Sequence, residues 1–168
     1  GYVATEALIR KGHRRIGLIN LRAELTAAIG RLQGYRRALH TYGLPFDPAL
    51  VRTSNGYADE GAREASALLD LPERPTALFC ATDRIAMGAY DALRARSLRV
   101  PDDVAVLGFD NQELIAAYLQ PALTTMALPH YEMGQWAVNY LLNDAPPDDE
   151  TPPIQHLLPC PLVERHSV

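Results

Sequence analysis

Two short apolar runs, Ala77 to Cys80 and Val104 to Phe109, flank a single helical pattern, and each run leads into an acidic residue, Asp83 or Asp110. Continuous apolar strands buried on both faces belong to parallel sheets covered by helices, and a parallel pair needs a crossover of about this length. The stretch therefore predicts a β-α-β unit. Asp83 and Asp110 then fall at the carboxyl ends of their strands, the edge where open α/β sheets hold small ligands.

The rest of the chain extends the same alternation. Val3 to Arg10 carries Ala4, Ala7 and Leu8 on one helical face and stops at Gly12, so the sequence opens inside a helix. Ile16 to Ile19 reads as a short buried strand. A second helix sets Leu32, Tyr35, Leu39 and Tyr42 on one face before Gly43, with Arg31 at its opening. Leu50 to Thr53 is a weaker strand. A third helix starts near Asp59, a suitable N-cap, and turns Ala62, Ala65, Leu68 and Leu69 inward. From Arg84 to Arg96, Ile85, Gly88, Ala89 and Ala92 line one side, but the apolar arc runs on through Leu93 to Tyr90 and Met87. That arc is wider than a sheet requires, and is either further core or a face covered by another subunit. Beyond Asn111 the alternation breaks. Leu114 to Leu119 reads as a short helix, Leu123 to Leu128 as a strand or extended connector, and His130 to Asn143 as a helix. DAPPDDETPP then reads as an exposed loop, and Ile154 to Leu158 and Pro161 to Val163 as edge-strand material.

At 168 residues and 48% hydrophobic, the chain predicts one well-packed core. A formal charge of −4 supplies no general basic field for nucleic acid. Cys80 and Cys160 have neither metal-ligand spacing nor the density of a disulfide scaffold, and no run approaches the roughly 20 apolar residues of a membrane span. No cofactor, metal or membrane partner is expected, and the cytoplasm is the default location.

Chemistry narrows the picture further. Ile16-Gly17-Leu18-Ile19-Asn20 runs into LRAELTAAIG without a dinucleotide fingerprint, and the phosphate-loop and nucleophile-elbow patterns are missing too. An α/β enzyme acting through Asp83 or Asp110 remains a minor alternative. What gathers at the predicted carboxyl edge is Arg31, Tyr57, Asp83 and Asp110. A forked guanidinium, acceptor carboxylates and an aromatic ring can orient a small polyhydroxylated or heterocyclic molecule without reacting with it. Asp83 also has a plainer reading as cap of the helix that follows it, and Tyr57 as a lid on the core.

These residues carry a resemblance. GHRRIGLI, RLQGYRRAL, PTALFCATDRIAMGAYDALR, VPDDVAVLGFDN, PALTTM and LVERHS closely resemble the effector-binding domain of the lactose- and purine-repressor family of bacterial transcription regulators, nearly end to end. The resemblance implies an α/β, three-layer, mostly parallel open sheet: one periplasmic-binding-protein-like lobe, a fragment of a two-lobed domain. Residues 1–125 would be the C-terminal lobe, 126–153 a connector, returning helix and exposed loop of the other lobe, and 154–168 a terminal segment crossing back.

By the same resemblance Arg31, Tyr57, Asp83 and Asp110 would contact a small-molecule effector. Met87, Tyr90, Leu93, Tyr118 and Leu119 would form a homodimer surface, and operator DNA would be bound through an N-terminal domain absent from this chain. Leu25 and Ala27 depart from the polar and basic side chains of purine-type regulators, which points away from a purine effector. Ser97 stands where the family commonly ends a helix with glycine. The expected function is effector sensing in a non-enzymatic repressor that responds to a sugar or related metabolite. The alternative is an extracytoplasmic sugar-binding protein of a transport system.

Overall fold

The computed structural model describes residues 1–144 and 154–168. Helix α1 (Tyr2–Arg10) precedes β1 (Ile16–Leu21), α2 (Thr26–Thr41) and β2 (Val51–Ser54). There follow α3 (Ala58–Leu69), β3 (Ala77–Cys80), α4 (Asp83–Ala95), β4 (Ala105–Asp110), the single turn α5 (Glu113–Ala116), β5 (Thr124–Ala127), α6 (His130–Asn139) and β6 (Leu162–Val163). The strands form one sheet in the order β2-β1-β3-β4-β5-β6, parallel except for the antiparallel pairing of β5 with β6. The apolar runs thus form the parallel β-α-β unit they predict, within the mostly parallel sheet that the resemblance implies.

Alternation along the strands divides the core between the two faces. Ile16, Leu18, Phe79 and Leu107 pack under α1 and α2, where the buried Tyr35 hydroxyl donates 2.7 Å to the carbonyl of Ile16. Ile19, Leu78, Cys80 and Val106 face α3 and α4. These two helices meet backbone to backbone: a Cβ on Gly61 would lie 2.6 Å from the Ile85 carbonyl oxygen, and one on Gly88 would lie 2.6 Å from the amide nitrogen of Ala62. Helix α4 is therefore covered by the sheet and by α3 together. Its wide apolar arc is mostly core, because Tyr90 is 3% exposed and Leu93 is fully buried.

Several boundaries differ from the sequence reading. Helix α3 begins one residue before Asp59, with Tyr57 at the N-cap position and no side-chain cap, so Asp59 sits in the first turn. Arg31 lies in the second turn of α2, since that helix starts at Thr26. Helix α6 ends at Asn139 and passes into a π-helical turn, Tyr140–Asp144. Ile154 to Leu158 forms no strand, because only Leu162 and Val163 find partners on β5. The acidic, proline-rich loop expected at 144–153 lies, from 145 onward, outside the described residues. Ser97 does adopt the left-handed backbone of a helix-ending glycine, with φ of +56°, and its amide donates to the Arg94 carbonyl.

Candidate functional site

The carboxyl edge gathers its polar groups where β1 and β3 diverge to opposite neighbours and β4 follows. Arg31 reaches this edge from the inner face of α2 and is 8% exposed. Its guanidinium carbon stands 4.0 Å from the centroid of the Phe109 ring, and its Nη2 lies 3.8 Å from Oδ1 of Asp110. That separation leaves the two charges close but not directly hydrogen bonded. Burial pushes the Arg31 guanidinium down from its usual range, against the pull of Asp110. Burial likewise raises the Asp110 carboxyl, opposed by the Gln112 side-chain amide, then Arg31, His130 and Arg84. A cation and an anion are thus held side by side with their hydrogen-bonding capacity only partly used, which suits a ligand bearing both donors and acceptors.

The loop carrying Asp110 is conformationally unusual. Asp110 has φ of +111° and Asn111 φ of +53°, two consecutive non-glycine residues on the left-handed side. Such backbone persists only where its surroundings hold it. Asp83 provides one hold. Its carboxylate accepts 2.6 Å from the Gln112 amide and 2.6 Å from the Thr125 hydroxyl. Arg165 provides another, donating 2.9 Å to Oδ1 of Asn111 and 2.8 Å to the carbonyl of Leu123. The Gln112 side chain closes the loop on itself, its Nε2 donating 3.2 Å to Asp110.

Of the four residues expected to face an effector, Arg31 and Asp110 meet. Tyr57 stands nearby, 56% exposed, with the Arg84 guanidinium 5.6 Å from its ring centroid. Asp83 corrects both sequence readings. It is fully buried and so does not reach the open edge, and the cap of α4 is Thr82, whose hydroxyl accepts 3.1 Å from the Ile85 amide. The expected dimer surface also contracts. Tyr90 and Leu93 belong to the core, and the Tyr90 hydroxyl donates 2.9 Å to the carbonyl of Pro121. Met87 at 37% and Tyr118 at 73% remain exposed, as does Leu114 on α5, while Leu119 is half-buried against the core. Among the described residues, helix α6 buries none of its own residues.

Sequence reasoning passed over Gln112, Thr125 and Arg165. A polar residue two positions after a strand-end acid was the only local signal for Gln112. Arg165 lies more than forty residues from both of its partners and had none. Among the described residues no group of three His, Cys, Asp or Glu side chains could hold a metal ion, and no helix is long and apolar enough to cross a membrane.

A profile of the periplasmic binding protein-like domain matches residues 5–168. The ribose operon repressor of Haemophilus influenzae is 42% identical over 142 residues, which cover 84% of this chain and 42% of that protein. The HTH-type transcriptional repressor CytR of Escherichia coli (strain K12) is 37% identical over 164 residues, 98% of this chain and 48% of its own length. Among solved structures, the transcriptional regulator CelR in complex with cellobiose superposes with a TM-score of 0.86 at 35% identity, covering 98% of this chain and 50% of that one. The chain thus spans about half the length of the proteins it matches. This shows that the chain belongs to the periplasmic binding protein-like domain family, as one lobe of an effector-binding domain of the lactose-repressor type.

Proposed function

We propose that this lobe forms one wall of the effector site of a cytoplasmic, dimeric transcription repressor, and that the effector is a sugar or related polar metabolite. The observation that carries the reading is the partly buried Arg31 and Asp110 pair, held 3.8 Å apart on an open sheet edge with neither group saturated. A polyol can donate to the carboxylate and accept from the guanidinium at once, and Tyr57 offers an apolar face for its ring. The relatives named above are repressors, and one solved relative holds cellobiose.

In the full-length protein an effector between two lobes favours the closed arrangement only through its greater affinity for it. That closure changes the spacing of two DNA-binding domains on a two-fold operator. Charge-assisted hydrogen bonds of this kind contribute about 1.5–3 kcal/mol each. Calorimetric titration of the full-length protein with a panel of free pentoses, hexoses and disaccharides should identify a binder, and Asp110→Ala should weaken that binder tenfold or more. Unchanged affinity in the variant would overturn the assignment.

A further inference from the structure

Asp83 is the most completely buried ionisable side chain at the edge, lying beneath the loop that carries Asp110. Its two oxygens are divided between the loop after β4 and the neighbouring strand β5. Oδ2 takes the amide of Gln112, in the loop after β4, while Oδ1 takes the hydroxyl of Thr125, on β5. Beneath it lies Gly108. A Cβ there would come 2.8 Å from the Leu123 side chain and would run into the Asp83 carboxylate itself. The glycine therefore makes room for the carboxylate above the pleat of β4. Arg165, whose charge acts on Asp83, grips the neighbouring Asn111 from the terminal segment.

We propose that Asp83 is a positioning residue that fixes the left-handed Asp110–Gln112 loop from inside the lobe, so that Asp110 alone of the two acids meets the effector. The functional half of this rests on the effector reading of the edge; the positioning half is measurable without any effector. The role requires one acceptor aimed at Gln112 and one polar atom aimed at Thr125, and it does not require a charge. An asparagine satisfies both, since its Oδ1 can accept from Gln112 while its Nδ2 donates to the Thr125 hydroxyl, which is equally able to accept. Alanine satisfies neither.

The test is amide hydrogen exchange and nitrogen-proton correlation spectroscopy on the 168-residue chain, comparing wild type, Asp83→Asn and Asp83→Ala. In Asp83→Ala the Gln112 amide is expected to exchange at least tenfold faster relative to strand amides such as that of Leu78, and in Asp83→Asn to stay within about threefold of wild type. The wild-type Gln112 amide proton should also titrate with the carboxylate that holds it, and this titration should vanish in Asp83→Asn although Asp110 is still present. That second readout serves equally if the alanine variant does not fold. A Gln112 amide that does not titrate in wild type, or that loses protection equally in the asparagine variant, overturns the proposal. Failure to find a sugar ligand for the full-length protein would count against the effector reading and leave these amide measurements unchanged.

Discussion

Arg31 sits over the ring of Phe109, its guanidinium carbon 4.0 Å from the ring centroid. The ring is itself part of the core under α2, so the arginine rests on a surface that the folding of the lobe has already fixed. A stacked guanidinium over an aromatic face contributes about 0.5–2 kcal/mol, more as water is excluded. Lysine cannot reproduce both the stack and the fork. A double-mutant cycle with Arg31→Lys and Phe109→Leu, measured by urea unfolding, should give a coupling of about 1 kcal/mol; additive effects would show that the two side chains touch without interacting.

The pH dependence of stability should carry the mark of Asp83. Burial pushes its carboxyl from 3.8 up to about 6, against the hydrogen bonds from Thr125 and Gln112. The folded protein therefore holds a proton that the unfolded chain has already released between pH 4 and 6, so this group's contribution falls as pH rises through that window. The loss is at most about 3 kcal/mol at 1.36 kcal/mol for each pKa unit. Asp110, also raised by burial, adds to it with the same sign. Urea unfolding at pH 4 and pH 7 should show Asp83→Asn gaining on wild type at the higher pH; parallel stabilities would place the Asp83 proton elsewhere.

Two glycine-to-alanine changes should move stability in opposite directions. At Gly88 the added methyl group meets the backbone of α3, 2.6 Å from the Ala62 amide nitrogen, and the two helices must separate. Overpacking of this kind costs about 1–3 kcal/mol. Gly30, in exposed α2 surface, has nothing within 4 Å of the new atom, and alanine there should stabilise by about 0.5–1 kcal/mol. Thermal denaturation should place the two melting temperatures on either side of wild type.

For the dimer surface, the expectation now rests on Met87, Leu114 and Tyr118, with the edge of Leu119. Tyr90 and Leu93 are excluded because they serve the core. A desolvated, unpaired charge costs several kcal/mol in an interface. In sedimentation of the full-length protein, Met87→Glu and Tyr118→Glu should each shift dimer towards monomer, whereas a persistent dimer in both, with the fold intact, would remove this face from consideration.

The parallel core strands were legible because a strand buried on both faces has to be apolar throughout, and Ala77 to Cys80 was placed to the residue. The meeting of Arg31 with Asp110 was legible from an acid placed on a strand end and from the family resemblance, although the sequence reading set Arg31 at the opening of a helix that in fact begins five residues earlier. What escaped was of two kinds. Tyr90 has the amphipathic character of an interface residue, and periodicity along α4 does not reveal that its hydroxyl is taken by the carbonyl of Pro121, in the segment after α5. Asp83 looked like a cap or a ligand because its partners, Gln112 and Thr125, are 29 and 42 residues further along the chain. Hydrogen bonds of that range leave no periodic trace.

Ser167 gives the terminal segment a role in the order of assembly. Its hydroxyl donates 2.6 Å to the Val106 carbonyl and accepts 2.7 Å from the Thr124 amide, while its own carbonyl takes the Val106 amide at 2.9 Å. Val106 and Thr124 lie on neighbouring strands, so one serine near the end of the chain ties together elements made some forty to sixty residues before it. On the ribosome β1 to β5 all emerge first, and until Leu162 and Val163 arrive β5 is an open sheet edge. Unpaired edges of this kind recruit strands from other chains. Between synthesis of β5 and of β6 a nascent lobe therefore presents β5 as an unpaired edge to its neighbours, in addition to β2 at the other end of the sheet.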